Sequence, residues 1–340
     1  MAIKPKVLVT MKLPSDVVEM LELEGMELLH KPFERCFARE EVLQAVKDVD
    51  GVILGAELFD RSVMEAAPRL KVISRFGVGY DNVDVDAATE RKIYVTFTPC
   101  VLCDTVADLA FGLILCVSRR IHQADAFVRA GRWSESQFPL MVDVSGKTLG
   151  IVGLGRIGTR VAYRARGFSM RILYHDVVRT DLMMRLEREF GVKRVSLNRL
   201  LKESDFVTLH VPLDESTRRM IGGRELSLMK KTGYLINTSR GPVVDQSALY
   251  EALRNQTIAG AALDVFVEEP IRPGNPLLQL ENVVFTPHIG SATVETRHKM
   301  ALTAAEDLVR VLKGKEPKNL VNVELLRKTE QQRVRRVKPW

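Results

Sequence analysis

The sequence predicts an α/β fold made of two domains with parallel sheets, and three observations support this prediction. Short apolar runs alternate with helical periodicity along almost the whole chain, which is typical of βαβ units. The chain has 340 residues, of which 46% are hydrophobic and 27% charged, so it is long enough for two globular domains. The alternation also runs in two series, which are separated by a long helical pattern and an irregular segment.

The first series predicts strands at KVLVT, MELLH, GVILG, LKVIS and IYVTF, with helical patterns along the segments between them. Ser15 and Ser62 are expected to cap two of these helices, because a serine hydroxyl accepts hydrogen bonds from first-turn amides. A helical pattern then extends from Asp104 to about Ala130. Because it is longer than the usual helix within a domain, we expect one helix that bridges two units.

Composition and charge narrow the class of protein. The formal charge is +7, but the stretch from Arg327 to Trp340 holds six basic residues and one acidic residue, so the rest of the chain is nearly neutral. We interpret that stretch as a solvated end, and we do not expect nucleic acid to be the main partner. No apolar run approaches the roughly 20 residues of a membrane span. The first residues lack a signal-peptide pattern, so we expect a cytoplasmic protein.

The four cysteines are Cys36, Cys100, Cys103 and Cys116. Cys100 and Cys103 have the CxxC spacing found in redox and zinc sites. A second pair with ligand spacing is absent from the sequence, so we predict no metal site. A redox role stays open, but a chance spacing in a reducing compartment is the favoured interpretation.

The second series begins with KTLGIVGLGRIG, which carries Gly153, Gly155 and Gly158 in a GxGxxG pattern. The pattern lies between a predicted strand and an amphipathic helix. There the first glycine permits a tight turn, the second lets a pyrophosphate approach, and the third lets helix and strand pack closely. The phosphates would meet amides of the first helical residues, Arg156 and Ile157. The sequence therefore predicts a dinucleotide-binding site.

The strand that follows, MRILYH, ends at Asp176, about 20 residues beyond the glycines. A carboxylate at this position can accept hydrogen bonds from the adenosine ribose hydroxyls and would repel a 2′-phosphate. NAD is therefore favoured over NADP. Arg179 lies close by in the sequence and could weaken that preference.

Three further motifs place polar side chains after apolar strands. GYLINTSRGPVVD carries Arg240, AGAALDVFVEEP carries Asp264 and then Glu268 and Glu269, and VFTPHIGSAT carries His288. Ligands bind beyond the carboxyl ends of strands in an open parallel sheet. We therefore expect an arginine, a glutamate and a histidine to converge there from three loops.

Taken together, these motifs resemble the D-isomer-specific 2-hydroxyacid dehydrogenases. The resemblance extends over nearly the whole chain, through ISRFGVGYDNVDVDAA, VLCDTVADLAFGL, GIVGLGRIG, LHVPLDESTRRMIG, INTSRGPVVDQSAL, ALDVFVEEP and FTPHIGSAT. The runs GSAT, TRHKMA and GKEPKNLVN are most similar to the glyoxylate and hydroxypyruvate reductase branch.

The resemblance implies catalytic roles for three residues. His288 would be the general acid/base, which suits a side chain whose ordinary pKa lies near neutrality. Glu269, directly before the proline as in the family motif, would hold the other ring nitrogen and favour the protonated ring. Glu268 is the less favoured alternative for this role. Arg240 would bind and orient the substrate carboxylate or carbonyl oxygen.

The segment RFGVGYDN resembles the substrate-carboxylate loop of the family. The amides around Val78 and Gly79 would bind the anion, and Arg75 is a further candidate that could instead point outward. A simple turn is the alternative.

The resemblance also assigns cofactor contacts. Thr105 would meet a phosphate, and Asp264, Thr238 and Ser291 would take the nicotinamide carboxamide, with helix capping or turn bonding as the alternative. The predicted cofactor-binding residues outside the glycine motif and Asp176 are Thr105, His210, Val211, Pro212, Thr217, Thr238, Asp264 and Ser291.

The predicted organisation follows from the same resemblance. Residues 1–100 together with 290–340, including a helix from about Thr293 to Lys313, should form a flavodoxin-like substrate-binding domain. Residues 101–289 should form a Rossmann NAD-binding domain, with the active site in the interdomain cleft. The segment GRWSESQF, with Trp133, resembles the dimerisation arm of the family, which implies a homodimer.

The function expected from the sequence is NAD(H)-dependent interconversion of a small 2-oxo acid and its D-2-hydroxy acid, with glyoxylate or hydroxypyruvate as the expected substrate. Phosphoglycerate dehydrogenase is the alternative within the same chemistry. An NAD-sensing, corepressor-like binding protein is the alternative of another class, because such proteins keep the same arginine, glutamate and histidine.

Overall fold

The computed structural model describes residues 4–30 and 36–325. The basic stretch from Arg327 to Trp340, predicted as a solvated end, lies outside the described residues. The strands in chain order are β1 (Lys6–Val9), β2 (Glu27–His30), β3 (Gly51–Leu54), β4 (Val72–Arg75), β5 (Tyr94–Thr96), β6 (Thr148–Val152), β7 (Arg171–His175), β8 (Lys193–Arg194), β9 (Phe206–Leu209), β10 (Tyr234–Asn237), β11 (Gly260–Leu263) and β12 (Val283–Phe285).

The helices between and after these strands have the following bounds. In chain order they are α1 (Ser15–Leu23), α2 (Arg39–Ala45), α3 (Arg61–Glu65), α4 (Val85–Glu90), α5 (Cys103–Ser118), α6 (Ile121–Arg129), α7 (Arg156–Gly167), α8 (Asp181–Phe190), α9 (Leu197–Glu203), α10 (Gly223–Leu228), α11 (Gln246–Arg254) and α12 (Val294–Leu312). Short 3₁₀ turns occur at Arg132–Ser134, Gly241–Val243 and Pro276–Gln279.

The chain packs as two units. One contains the residues up to Leu102 and those from Thr293 onward, and the other is Cys103–Ala292. The predicted boundaries lay within three residues of these positions. The substrate-binding and cofactor-binding roles given to the two domains stay predictions at this point.

The first unit is built on a parallel sheet in the order β2-β1-β3-β4-β5, which is the predicted flavodoxin-like arrangement. Helices α2, α3 and α4 supply apolar side chains to one buried cluster, and α12 packs against β3 and β4. All four residues of β3 are buried, as expected for a strand that helices cover on both faces. The strands predicted in the first series are confirmed.

The second unit is built on a parallel sheet in the order β12-β11-β10-β9-β6-β7-β8. The strand order reverses between β6 and β9, which is the topological switch of a Rossmann fold. One buried cluster lies under α5, α7 and α8, and another lies under α9, α10 and α11. The prediction of two α/β folds with parallel sheets is therefore confirmed.

The single helix predicted from Asp104 to about Ala130 is wrong. Helix α5 ends at Ser118, Arg120 adopts a left-handed conformation with φ of 48°, and α6 then begins at Ile121. The Ser118 carbonyl accepts a hydrogen bond from the amide of Val142 at 3.3 Å. A partner more than 20 residues further along the chain is invisible to helical periodicity, which explains the error.

Both serine caps were also predicted wrongly. Helix α1 begins at Ser15 itself, and its cap position is Pro14. Helix α3 is capped by Asp60, whose carboxylate accepts the Val63 amide at 3.1 Å. An aspartate caps a helix as well as a serine does, so propensity alone could not choose between two candidates two residues apart.

Candidate active site

The predicted site residues of the second unit follow the ends of its strands. Because the strands are parallel, their carboxyl ends meet at one edge of the sheet. The residues at or beyond these ends are Gly153 after β6, Asp176 after β7, His210 after β9, Thr238 and Arg240 after β10, Asp264 after β11 and His288 after β12. This edge is where an open parallel sheet binds its ligands.

The three glycines of the turn after β6 meet three different steric demands. Gly153 has φ of 90°, and a Cβ there would lie 2.8 Å from the carbonyl oxygen of His210. A Cβ on Gly158 would lie 2.1 Å from the carbonyl oxygen of Gly153. A Cβ on Gly155 would meet no described atom within 4 Å. The turn is therefore closed around its first and third glycines and open at the second, as the approach of a pyrophosphate requires.

The start of α7 can accept an anion. Its cap residue is Gly155, which has no side chain to accept hydrogen bonds from the first-turn amides. The amides of the first helical turn, at Arg156, Ile157 and Gly158, lack intrahelical partners by the geometry of any helix. They lie next to the open side of the turn, so a phosphate there would meet both hydrogen-bond donors and the positive end of the helix dipole.

Asp176 ties the end of β7 to the glycine turn. Its Oδ2 accepts the amide of Leu154 at 2.8 Å, and its Oδ1 accepts the amide of Val178 at 3.0 Å. Each carboxylate oxygen has a second lone pair, so these bonds leave acceptor capacity for ribose hydroxyls. The side chain is half-buried and lines an open pocket of about 730 Å³.

Two buried polar atoms at this edge have no hydrogen-bond partner among the described residues. They are Nδ1 of His210 and Oγ1 of Thr238. The other ring nitrogen of His210, Nε2, lies 2.9 Å from Oγ1 of Thr208, and burial lowers the pKa of His210 to about 3. Unmatched buried polar atoms are rare because they are costly. Both residues were predicted to contact the cofactor, so the residues present fit a bound dinucleotide.

The segment after β9 is held by its own hydrogen bonds. Val211 packs against the glycine turn, because its Cγ1 lies 3.0 Å from where a Gly153 Cβ would be. The Thr217 hydroxyl donates to the carbonyl oxygen of Pro212 at 2.7 Å and accepts the amide of Asp214 at 2.9 Å. The Thr217 side chain thus shapes the loop, and a cofactor contact from this residue stays a prediction.

Asp264 organises the turn that carries His288. Its Oδ1 accepts the Thr286 hydroxyl at 2.6 Å and the Ile289 amide at 2.8 Å, and its Oδ2 accepts the Gly290 amide at 2.9 Å. Burial raises the pKa of Asp264, and the hydrogen bond from Thr286 opposes that rise. The contact of Asp264, and of the neighbouring Ser291, with a nicotinamide carboxamide stays a prediction.

His288 and Glu269 form a hydrogen-bonded pair. Nδ1 of His288 lies 2.6 Å from Oε2 of Glu269, and Oε1 of Glu269 accepts the amide of Phe266 at 3.0 Å. Burial alone would raise the pKa of Glu269, but its bond to His288 outweighs this together with smaller effects that include the charge of Arg240, so the pKa is lowered. The neighbouring Glu268 pairs instead with Arg272 at 2.7 Å.

Arg240 lies near this pair on the loop after β10. Its Nη1 donates to the carbonyl oxygen of Ser239 at 2.8 Å. The next residue, Gly241, packs directly against the Glu269 loop, because a Cβ there would lie 1.9 Å from the carbonyl carbon of Phe266. The second unit therefore brings the arginine, the glutamate and the histidine together.

In the first unit, the predicted substrate loop follows β4. The Arg75 guanidinium bonds to Oδ1 of Asn82 at 3.1 Å and to the carbonyl oxygen of Phe76 at 2.5 Å, so it braces the loop. The amides of Val78 and Gly79 donate no hydrogen bond to any other described residue. The two amides are therefore available to an anion.

Sequence reasoning missed Arg297, on the first turns of α12. Its guanidinium carbon lies 5.4 Å from the centre of the Phe76 ring, next to the predicted substrate loop. Within residues 4–30 and 36–325 the guanidinium makes no ion pair and no hydrogen bond, and burial lowers its pKa. A half-buried cation without a carboxylate partner is unusual. Helical periodicity placed this residue on α12 but could not reveal that it lacks a partner.

The remaining sequence candidates have the following environments. Thr105 lies in the first turn of α5. Cys100 is exposed, whereas Cys103 is buried at the start of the same helix. Among the described residues, no group of three or more histidine, cysteine, aspartate or glutamate side chains could hold a metal ion. In that same part of the chain, no helix is long and apolar enough to cross a membrane.

A sheet of this order, with an anion-accepting glycine turn and a histidine–glutamate pair at its carboxyl edge, defines a nicotinamide-dependent dehydrogenase. Comparison with known proteins identifies the family. The family model of the D-isomer specific 2-hydroxyacid dehydrogenase, NAD binding domain, matches residues 111–290. The chain belongs to the family of D-isomer specific 2-hydroxyacid dehydrogenases, as its motifs predicted.

Individual relatives are similar over almost their whole length. A glyoxylate reductase from Korarchaeum cryptofilum is 50% identical over 328 residues, which cover 95% of this chain and 98% of that relative. The crystal structure of TT0316 protein from Thermus thermophilus matches with a TM-score of 0.85 at 43% identity, covering 93% of this chain and 99% of that one. An NADPH-dependent glyoxylate/hydroxypyruvate reductase from Sinorhizobium meliloti, in complex with NADP and malonate, matches with a TM-score of 0.82 at 36% identity, covering 94% and 97% of the two chains.

Proposed function

We propose that this chain reduces glyoxylate or hydroxypyruvate to the corresponding D-2-hydroxy acid with NADH, and catalyses the reverse oxidation. The observation that carries the proposal is the hydrogen bond between His288 and Glu269 at the carboxyl edge of a dinucleotide-binding sheet, with Arg240 beside it. The names of the relatives, glyoxylate reductase and glyoxylate/hydroxypyruvate reductase, support the choice of substrate.

His288 is the acid/base in this proposal. Its Nδ1 faces Glu269, so Nε2 is the ring atom left for the substrate. When bound, the nicotinamide supplies a hydride to C2 of the 2-oxo acid. The proton on Nε2 of His288 then passes to the former carbonyl oxygen, and Glu269 stabilises the positive ring before the transfer. In the oxidation, Nε2 takes the proton back.

The substrate is an anion, and cationic and amide groups meet it. Arg240 binds and orients the carboxylate or the carbonyl oxygen through charge-assisted hydrogen bonds. In the first unit, the amides of Val78 and Gly79 bind the carboxylate, and Arg297 adds a positive charge beside that loop. A substrate anion there would compensate the burial of Arg297, which no described carboxylate does.

The proposed cofactor is NAD rather than NADP. The support is Asp176, because a carboxylate at the end of β7 accepts ribose hydroxyls and repels a 2′-phosphate. The Sinorhizobium meliloti relative is NADPH-dependent and was crystallised with NADP, so the choice for this chain rests on Asp176 and not on its relatives.

The proposed assembly is a homodimer in the cytoplasm. The segment from α6 to residue 140 carries exposed apolar side chains, which is typical of a surface that another chain covers. Ile121, Val128 and Trp133 are 51%, 53% and 73% exposed, and Leu140 is fully exposed. The cytoplasmic location rests on the sequence alone.

The test of this function is a panel of substrates with both cofactors. We expect rapid loss of NADH absorbance with glyoxylate or hydroxypyruvate and slower loss with NADPH. Preference for phosphohydroxypyruvate would make the chain a phosphoglycerate dehydrogenase. Tight NADH binding without turnover of any 2-oxo acid would instead support the alternative function, an NAD-sensing binding protein.

A further inference from the structure

The open pocket beside Asp176 contains more charge than a neutral ribose requires. It lies at the carboxyl end of β7, and its charged lining consists of two carboxylates, Asp176 and Glu187, and three cations, Arg179, Lys193 and Arg194. Asp176 alone suffices to accept ribose hydroxyls. The three cations that line the same pocket are instead groups that a phosphate on that ribose would attract.

The cation Arg179 is held by Glu187. Its Nη2 pairs with Oε2 of Glu187, whose side chain is only 18% exposed. The other oxygen of Glu187 accepts the hydroxyl of Tyr174 at 2.6 Å, and Tyr174 is fully buried in β7. The carboxylate is therefore fixed from behind by a rigid strand, unlike that of a loose surface ion pair.

The charge of Glu187 persists at neutral pH. Its hydrogen bonds with Arg179 and Tyr174 lower the pKa of Glu187, and burial only partly opposes them. Burial and Glu187 together raise the pKa of Tyr174 to about 12, so the hydroxyl keeps the proton that it donates. Glu187 and Arg179 are therefore both charged at neutral pH.

The other two cations make no ion pair with Glu187 among the described residues. Arg194 donates to the carbonyl oxygen of Asp176 at 2.8 Å and so braces the end of β7. Lys193 is exposed and makes no ion pair among the described residues. Arg179 is therefore the cation whose availability depends on a neighbouring carboxylate.

We propose that Glu187 is a positioning residue for cofactor choice: it engages the Arg179 guanidinium in an ion pair and so withholds a phosphate-binding cation from NADP. This inference rests on the proposed nicotinamide cofactor. Selectivity for NAD then has two sources in this chain. Asp176 repels a 2′-phosphate, and Glu187 sequesters the arginine that would attract it.

The test measures the affinities of the full-length protein for NADH and NADPH by cofactor fluorescence, without any 2-oxo acid. In Glu187→Gln we expect NADPH to bind about fivefold more tightly, since one partly exposed ion pair contributes up to about that factor, while NADH affinity changes less than about twofold. In the double variant Glu187→Gln with Arg179→Gln, the gain should vanish. Arg179→Gln alone should leave NADPH affinity within about twofold of the parent.

Two controls make the outcomes distinguishable. Glu189→Gln removes a carboxylate from the same helix, where it pairs with Arg185, and should change neither affinity. Asp176→Ala should reduce the preference for NADH over NADPH. This variant therefore checks that the measurement can detect a change in cofactor preference. A gain in Glu189→Gln, a gain that survives loss of Arg179, or no gain in Glu187→Gln would overturn the inference. Failure of the parent protein to bind either cofactor would overturn the proposed function instead.

Discussion

At the scale of single residues, His288 is held by contacts from three sides. Its backbone has φ of 52°, a left-handed conformation that costs a non-glycine residue on the order of 1 kcal/mol. Its amide donates to the carbonyl oxygen of Asp264 at 2.9 Å, and the Asp264 carboxylate takes the next two amides. Glu269 holds the ring. The ring is thus oriented before any substrate arrives, which reduces the entropic cost of the proton transfer.

The charge of Glu269 should matter beyond its hydrogen bond. Glu269→Gln keeps the size of the side chain but removes the charge that stabilises the protonated ring. We expect reduction to slow about tenfold or more. The measurement is the rate of 2-oxo acid reduction at saturating NADH.

Glu268→Gln is the matched control for this prediction. It changes the adjacent carboxylate, which pairs with Arg272, and should leave the rate of reduction unchanged. A parental rate in Glu269→Gln would show that this carboxylate does not act on the ring.

Arg297 should trade stability for substrate binding. Arg297→Met keeps most of the side-chain volume and removes a half-buried charge that no described carboxylate compensates. We therefore expect a higher Tm together with a KM for the 2-oxo acid about tenfold higher, while the affinity for NADH stays the same. Lys299→Met, an exposed position on the same helix, is the control and should change neither quantity.

The sequence predicted chemistry where residue type and local order determine it. The glycine turn, Arg240, Glu269 and His288 each follow a strand in a recognisable motif. Arg297 and Glu187 escaped notice because their roles depend on what surrounds them. Arg297 lacks a partner, and Glu187 meets Arg179 and Tyr174 through the fold. Neither environment can be predicted from the residues that are adjacent in the sequence.

At the scale of secondary-structure elements, the carboxyl edge of the second sheet carries buried polar atoms that have no hydrogen-bond partner among the described residues, such as Nδ1 of His210. Strand β9 is buried along its whole length, and His210 follows it directly. Short apolar runs between helical patterns predicted these strands, because a buried parallel strand has a continuous apolar sequence. The break between α5 and α6 could not be predicted, because it depends on a hydrogen bond from Val142.

The end of β9 should make folding stability depend on pH. The pKa of His210 is lowered from 6.5 to about 3, so below about pH 6.5 the unfolded chain binds a proton that the folded protein does not. This contribution to stability falls with decreasing pH, by up to about 1.4 kcal/mol per pH unit. His210→Gln should therefore show a weaker loss of stability between about pH 6.5 and pH 4 in denaturant titrations.

Above neutral pH the parent and His210→Gln should have parallel stability curves, which serves as the internal control for this measurement. Curves that stay parallel down to about pH 4 would mean that His210 becomes protonated in the folded protein without penalty.

At the scale of the whole molecule, the chain combines two α/β units that carry different functional groups. The second unit contains the glycine turn, the aspartate proposed to bind the ribose, and the histidine–glutamate pair with its arginine. The first unit contains amides and an arginine suited to an anion. The sequence predicted both sheets and nearly the same boundaries between the units, because strand and helix periodicity extends over whole domains.

The role of His288 as the acid/base is tested by comparing turnover with cofactor binding in His288→Ala. We expect reduction of glyoxylate or hydroxypyruvate to slow about a hundredfold to ten-thousandfold, because the proton donor is lost. We also expect the affinity for NADH to stay within about twofold of the parent, because none of the proposed dinucleotide contacts involves His288. Turnover at nearly the parental rate would contradict the assignment of His288 as the acid/base.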